Sequence, residues 1–295
     1  MSKNNLDAIY GTIDSLPSLP AIVSEVLEVT GDPESSANDL MKAILPDQSM
    51  CATILKIANS AFFGLPREVG TIEKAVMVLG FDEVKNIVLG KAVFNSFKAI
   101  NGDNKKTIDA FWSHSFTCGL AAKAIAERLK LSPSELFIAG LIHDIGKLAM
   151  LIAFPNIYSH LLKLSEGNWQ ENYEKEYELF FINHDEVAYR ILNRWLFPQR
   201  LITAVGFHHR PNEASNFHIL SSTVQIADIL AHITINPETC SSSDYRGLML
   251  SMRADAFDLW HANNLPCSND EIQIWFNMLK SSQEKDTPIL TIFSS

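Results

Sequence analysis

Positive charge is in short supply in this chain. Its 295 residues include 24 Lys and Arg against 34 Asp and Glu, which gives a formal net charge of −10 at pH 7. A surface of that sign repels phosphate backbones, so we expect no binding to a nucleic acid duplex. A small phosphate-containing ligand remains compatible with this charge, because bound metal ions can reverse it locally.

Cysteine is also scarce, and no two cysteines have the spacing of a zinc knuckle or a redox motif. The four residues lie far apart, at Cys51, Cys118, Cys240 and Cys267. The N-terminal stretch lacks the apolar run of a secretory signal. We therefore interpret the cysteines as free thiols and expect a cytoplasmic location.

The sequence offers no good candidate for a membrane span. Its most hydrophobic stretch, residues 136–154, carries His143, Asp144 and Lys147 near the centre. Such side chains are costly in lipid, so the stretch predicts a buried helix that carries a functional site. We expect no association with a membrane.

Glycine and proline are few, 13 and 12 residues, and they cluster between amphipathic segments. No series of alternating apolar positions predicts strands. The sequence thus predicts an all-α fold with an N-terminal helical lobe at 1–105 and a metal-binding helical lobe at 106–240. The remaining residues, 241–295, predict C-terminal helices that pack on the lobes. The polar segment 101–106 is the expected boundary, and the apolar tail 289–293 predicts docking on a lobe or on a second copy, as in a homodimer.

The second half of the chain is rich in imidazoles and carboxylates at suggestive positions. Asp228 is the sharpest anomaly, because its helical face is otherwise apolar and a bare buried carboxylate costs several kcal/mol. A cation is the simplest remedy, and an arginine partner or a helix cap is the alternative. The full candidate set is His114, His143, Asp144, His184, His208, His209 and Asp228.

Each of these histidines, taken alone, is more often a hydrogen-bonded core residue than a metal ligand. Taken together they predict a two-metal site of the kind that activates water against phosphate esters. Cys118, one turn from His114, is either a thiolate ligand or a small core residue. The other four histidines are interpreted as surface or core residues: His160, His218, His232 and His261.

These residues resemble a known family. His114, His143-Asp144 and Asp228 are similar to the H…HD…D motif of the HD superfamily of metal-dependent phosphohydrolases. Residues 12–235 resemble the HDOD family of bacterial signalling proteins, on the segments Leu16–Pro20, Pro46-Asp47, Lys56–Ala61, Ala75–Gly80, His184–Ala188, Trp195–Pro198 and His208-His209. The resemblance implies a helical bundle followed by an HD-type lobe, and many HDOD members are thought not to be catalytic.

The ligand set is also similar to that of HD-GYP phosphodiesterases, which cleave cyclic di-GMP. That resemblance implies a first ion on His114, His143, Asp144 and Asp228. Asp144 would bridge to a second ion on His184, His208 and His209. The nitrogen-rich donors favour Fe or Mn, with Zn or Ni also compatible.

Two departures from HD-GYP proteins argue against a three-metal centre and against cyclic di-GMP as the substrate. The segment after His209 reads Arg210-Pro-Asn212 and contains no Gly-Tyr-Pro sequence. Ala110 stands where three-metal members have a glutamate.

We thus expect an HDOD regulatory protein with an intact dinuclear metal site, acting on a signalling partner that the sequence does not identify. One alternative is a phosphohydrolase acting on a nucleotide or cyclic dinucleotide, with Asp144 and Lys147 as catalytic residues. In that case Lys147 and Arg210 would hold phosphate oxygens, although Lys147 is equally compatible with a surface lysine. A second alternative is a di-iron redox sensor.

Overall fold

The computed structural model describes residues 2–60, 63–65, 68–97, 105–164, 169–235 and 244–294. The described residues contain helices and no strand, so the predicted all-α class is confirmed. Cys240 and residues 101–104 of the expected boundary lie outside them. The helices are α1 (Ser2–Ser15), α2 (Ala21–Gly31), α3 (Ala37–Ile44), α4 (Gln48–Ala58), α5 (Ile72–Leu79), α6 (Phe81–Phe97), α7 (Lys105–Leu129), α8 (Pro133–Ile142), α9 (Ile145–Ala153), α10 (Pro155–Leu164), α11 (Trp169–Phe180), α12 (His184–Arg194), α13 (Gln199–Gly206), α14 (His218–Ile235), α15 (Tyr245–Met252), α16 (Asp258–Ala262) and α17 (Asn269–Ser294).

The chain divides into two compact units whose bounds differ from the predicted ranges. One unit comprises residues 1–17 and 100–277, and the other comprises 18–99 and 278–295. Helix α1 belongs with the unit that carries the candidate site, because it packs on α9, α11 and α12 and buries Ile9 and Ile13 there. Amphipathic periodicity shows that a helix has an apolar face, but it does not show which surface that face covers.

The unit formed by 18–99 and 278–295 is a bundle whose helices begin at local signals in the sequence. The Asp47 side chain accepts a hydrogen bond from the amide of Met50, and Thr71 caps α5 in the same way. Gly80 ends α5 with a φ of +85°, a conformation that glycine adopts without steric cost. The buried Lys91 ammonium donates a hydrogen bond to the carbonyl of Phe293, 2.9 Å away.

The other unit is built around a very close contact between α7 and α8. A Cβ atom on Gly119 would collide with the backbone of Phe137, and one on Gly140 would collide with Gly119 itself. These glycines therefore let two helix backbones meet almost without intervening side chains. Helix α14 packs on both α7 and α8. This arrangement sets three candidate-site helices side by side.

The sequence predicts one buried helix that carries His143, Asp144 and Lys147, but the structure forms two helices here. Helix α8 ends at Ile142, and Asp144 adopts φ −98° and ψ 7° before α9 begins. Within residues 133–153, an 18-residue window has the mean hydropathy, 1.8, of a membrane span, but 83% of that window is buried inside the protein. This stretch is thus part of the core of its unit, and the turn within it places the side chains of His143 and Asp144 in the interior.

Candidate metal centre

The seven predicted ligands come together from five parts of the chain. His114 lies on α7, His143 and Asp144 form the turn before α9, His184 opens α12, the pair His208-His209 follows α13, and Asp228 lies within α14. Six of the seven are at most 5% exposed. The seventh, His114, has a side chain that is 13% exposed. The unit therefore collects these groups in its interior.

Asp144 lies at the centre of this cluster and turns one carboxylate oxygen to each side. Its Oδ1 is 3.1 Å from Nε2 of His184 and 3.9 Å from Nε2 of His208. Its Oδ2 is 3.3 Å from Nε2 of His143 and 3.9 Å from Nε2 of His114. A carboxylate in this position has the geometry needed to bridge two cations.

Asp228 completes the group on the Oδ2 side of Asp144. Its Oδ1 is 2.9 Å from Nε2 of His114 and 3.5 Å from Nε2 of His143. On the opposite side, the ligand atoms of His184, His208 and His209 lie within 4.8 Å of one another. Nε2 of His209 is 3.0 Å from Nε2 of His184. The cluster thus has two halves that share Asp144.

Five buried ligand atoms in this cluster make no hydrogen bond of acceptable geometry, although some lie as close as 2.9 Å to one another: Nε2 of His114, His143 and His208, and Oδ1 of Asp144 and Asp228. Buried polar atoms are nearly always satisfied, because leaving one bare costs about 1–3 kcal/mol. Five such atoms in one place fit a cation at their common centre. Imidazole nitrogens and carboxylate oxygens are ligands for divalent transition metals, so the residues fit the ions that the sequence predicted.

In three of the imidazoles, the Nδ1 atom lies within hydrogen-bond distance of an oxygen acceptor. Nδ1 of His143 lies 2.7 Å from the carbonyl of Gly140, and Nδ1 of His208 lies 2.7 Å from the carbonyl of Val205. Nδ1 of His184 lies 2.7 Å from a carboxylate oxygen of Glu176. Because these oxygens can only accept, each Nδ1 carries a proton, which leaves Nε2 as the atom of each ring that can bind a cation.

The electrostatics of the cluster keep its carboxylates ionised. Burial opposes the charge on Asp144, but the imidazole of His143 and the ammonium of Lys147 hold the pKa of Asp144 well below its usual value. Burial and neighbouring imidazoles lower the pKa of His208 and His209 well below the usual value. These two rings are therefore neutral at pH 7, which is the form that binds a metal.

Glu176 is a buried residue of the centre that the sequence did not predict. Its residue exposure is 1%, and its carboxylate contacts the first residue of α12. It accepts hydrogen bonds from Nδ1 of His184, from the amide of His184 at 2.9 Å and from the hydroxyl of Tyr158 at 2.6 Å. Burial disfavours a charged His184 ring, but the Glu176 carboxylate raises the pKa of His184 to about 9. Glu176 thus sets both the position and the proton content of this imidazole.

Gly146 lets α12 approach the turn that carries Asp144. A Cβ atom at this position would overlap the carbonyl oxygen of His184 and crowd the amide of Ala188. The glycine in the His-Asp-x-Gly-Lys run therefore has a packing role, since it brings His184 within reach of Asp144.

The two predicted phosphate-binding residues have different surroundings. Lys147 Nζ lies 2.6 Å from Oδ2 of Asp144, with its side chain 19% exposed. Arg210 is engaged by three carboxylates, at 3.2 Å from Asp185, 3.5 Å from Glu186 and 3.2 Å from Glu213. The structure brings Lys147 to the cluster and directs Arg210 to these acids instead.

His232 was interpreted as an ordinary histidine, but it lies beside the predicted ligands. Its Nε2 is 3.4 Å from Oδ1 of Asp228, one helical turn earlier on α14. The spacing of four residues between Asp228 and His232 was the available signal. No comparable signal marks Glu176, since α11 is rich in glutamate throughout.

Comparison with known proteins places this geometry in a family. The family model of the HDOD domain matches residues 16–211, about two thirds of the chain, so the chain belongs to the HDOD family. A protein of unknown role from Treponema pallidum (strain Nichols) is 26% identical over 227 residues. That match covers 75% of this chain and 43% of the relative, so the chain spans less than half of the relative's length.

Solved structures share the fold over nearly the whole chain. A Shewanella amazonensis SB2B protein, named as a phosphohydrolase, matches with a TM-score of 0.74 at 21% identity, covering 97% of this chain and 98% of its own. An HDOD domain protein of unknown function from Geobacter sulfurreducens matches with a TM-score of 0.70 at 22% identity, covering 99% and 97%. At these identities the likeness shows the fold alone.

Proposed function

We propose that this HDOD protein is a metal-binding regulatory module that holds two divalent transition-metal ions, one on each side of Asp144. The main support for this proposal is the set of five buried ligand atoms that make no hydrogen bond. The first ion would lie between His114, His143, Asp144 and Asp228. The second would lie between Asp144 and three histidines: His184, His208 and His209. Nitrogen-rich donors favour Fe or Mn, and Zn or Ni also suits them.

The positions of the donors link metal binding to the shape of the unit. They come from α7, the turn between α8 and α9, and the ends or interiors of α12, α13 and α14. Without a cation, the buried carboxylates and imidazoles have only one another as polar contacts in the interior of the cluster. Metal occupancy therefore stabilises one arrangement of these helices, which a cytoplasmic signalling partner can read.

Metal content of the purified chain tests this proposal. Protein dialysed against Mn²⁺, Fe²⁺ or Zn²⁺ should retain at least two ions per chain by plasma mass spectrometry. His184→Ala should lose the second ion and keep the first, and the matched control His160→Ala, an exposed residue, should keep both. Wild-type protein that retains no ion would contradict the proposal.

A phosphohydrolase is the second candidate, and the position of Lys147 favours it. Bound ions would supply Lewis acidity and lower the pKa of coordinated water. The Lys147 ammonium lies 2.6 Å from Oδ2 of Asp144, so it can hold a phosphate oxygen of a ligand bound at the centre. Asp144 would fix the relative position of the two halves of the centre.

Assays on bis-p-nitrophenyl phosphate and on cyclic dinucleotides separate the two candidates. If metal-loaded protein hydrolyses one of these compounds and Asp144→Ala abolishes that activity, the proposal of a purely regulatory module is overturned. Metal-loaded protein that is inert towards every phosphodiester tried would overturn the hydrolase. Lys147→Met, which keeps most of the side-chain length without the charge, should reduce turnover while retaining the metal.

A further inference from the structure

Two residues that directly follow predicted ligands in the sequence form an ion pair with one another. Asp185 comes after His184, and Arg210 comes after His209. Both Nε and Nη2 of Arg210 donate to Oδ2 of Asp185, at 3.3 Å and 3.2 Å. The Asp185 side chain is fully buried, and that of Arg210 is 28% exposed. The pair therefore ties the start of α12 to the segment after α13, and these two segments carry the three histidines assigned to the second ion.

We propose that Asp185 and Arg210 are positioning residues for the second ion, and that their ion pair fixes the separation of the His184 and His209 imidazoles. The inference rests on the proposed metal centre and deepens it, because it names what holds the second position in shape. It also gives Arg210 a role that differs from the phosphate contact expected from the sequence.

Tyr173 connects the ion pair to the imidazole rings. Its hydroxyl donates to the Asp185 carboxylate, whose oxygens are 3.3 Å and 3.4 Å away. Its ring packs on the imidazole of His209, with centroids 4.4 Å apart, and lies edge-on to that of His184 at 5.8 Å. A shift of the Asp185 carboxylate would therefore displace a ring that contacts both imidazoles.

The main chain beside the ion pair is restrained as well. Arg253, the residue after α15, donates from Nη2 to the carbonyl of His209 and from Nε to Asp255, the latter at 2.8 Å. Two consecutive residues are thus held by side chains from elsewhere in the unit: His209 by Arg253, and Arg210 by Asp185.

The contact with Asp185 differs in kind from the other ion pairs of Arg210. The Glu213 carboxylate lies 3.2 Å from Nη1 of Arg210, but its side chain is 60% exposed. An exposed ion pair contributes little, whereas a buried carboxylate that loses its cationic partner is strongly unfavourable. Asp185 therefore decides where Arg210 lies, and Glu213 supplies a matched control.

The Zn²⁺ affinity of each half of the centre tests the proposal. Competition titration with a chromogenic chelator compares the whole wild-type chain with Asp185→Asn, Arg210→Met and the control Glu213→Gln. His184→Ala, which should keep only the first ion, identifies the two binding steps. Asp185→Asn and Arg210→Met should each weaken the second ion about 10–100-fold and leave the first at its wild-type affinity. Glu213→Gln should bind both ions as wild type does.

Two further variants separate positioning from a general effect on folding. The double variant Asp185→Asn, Arg210→Met leaves no charge buried alone, and it should lose no more affinity than the more affected single variant, because the residues act as a unit. Arg210→Lys keeps the charge and should recover part of the affinity that Arg210→Met loses. If circular dichroism shows that Asp185→Asn does not fold, the double variant carries the test: a weakened second ion supports the proposal, and wild-type affinity overturns it.

The outcomes that overturn this inference differ from the one that overturns the proposed function. Wild-type affinity for both ions in the double variant, or equal weakening of both ions, would overturn the positioning pair and leave the dinuclear centre standing. Wild-type affinity for both ions in Arg210→Met, with weaker binding of inorganic phosphate, would overturn it too and would assign Arg210 to a ligand. A wild-type chain that binds no Zn²⁺ would overturn the proposed function itself.

Discussion

Replacing Glu176 by glutamine tests whether the residues behind the metal ligands matter as the geometry indicates. The substitution keeps the size of the side chain and removes its charge. In the native protein one carboxylate oxygen accepts from both Nδ1 and the amide of His184, and the other accepts from the hydroxyl of Tyr158. Glutamine offers only one accepting oxygen for these three donors.

The expected effect follows from the bond to Nδ1. A carboxylate behind a metal-ligating imidazole makes it a better ligand and fixes its orientation, and loss of such a partner weakens metal binding about 10–100-fold. That range corresponds to about 1.4–2.7 kcal/mol. The loss should fall on the ion that His184 binds, while the His143 side of Asp144 keeps its metal.

Competition titration with a chromogenic Zn²⁺ chelator measures this difference directly. Glu178→Gln is the matched control, since Glu178 lies on the same helix and is exposed. Tyr158→Phe removes only the outer hydroxyl and should weaken binding much less. Wild-type affinity in Glu176→Gln would refute the reasoning that this carboxylate tunes the centre.

Three further predictions concern stability. Gly146→Ala should lower the free energy of unfolding in urea by about 1–3 kcal/mol, because the new Cβ atom would meet the carbonyl of His184. Gly11→Ala is the control and should not destabilise the protein, because a Cβ atom there meets no other atom. Ser222→Ala should lower the free energy of unfolding by about 1–3 kcal/mol. The indole N–H of the buried Trp260 lies 2.7 Å from Oγ of Ser222 and would lose its acceptor. An unchanged midpoint of urea unfolding would contradict this prediction. The pKa of His184, about 9 in the folded metal-free protein, lies above its unfolded value of 6.5. Its contribution of up to about 3 kcal/mol is therefore full below pH 6.5 and lost as pH rises through 9, so the stability gap to Glu176→Gln should shrink over that range.

Much of the fold follows from local signals that the sequence displays. Asp47, Thr71 and Gly80 begin or end helices through bonds and dihedral angles within a few residues, so their roles can be predicted without tertiary information. The break between α8 and α9 could not be predicted in this way. Apolar periodicity runs through it, and the Asp144 carboxylate at the turn faces imidazoles that other helices carry.

The candidate site shows the same division. His114, His143 and Asp228 could be proposed because polar groups on apolar helical faces need an explanation. Glu176 has no such mark, since its neighbours on α11 include the exposed Glu174 and Glu178. Its tertiary contacts separate it from them, because Tyr158 on α10 and His184 on α12 both donate hydrogen bonds to Glu176.

Anomalous diffraction from crystals of the Mn²⁺-loaded protein tests the central claim most directly. The account predicts two Mn²⁺ peaks about 3.5–4 Å apart, one bonded to each carboxylate oxygen of Asp144. Metal-loaded crystals in which neither oxygen of Asp144 touches an anomalous scatterer, with the imidazoles bonded to one another or to main chain, would contradict it.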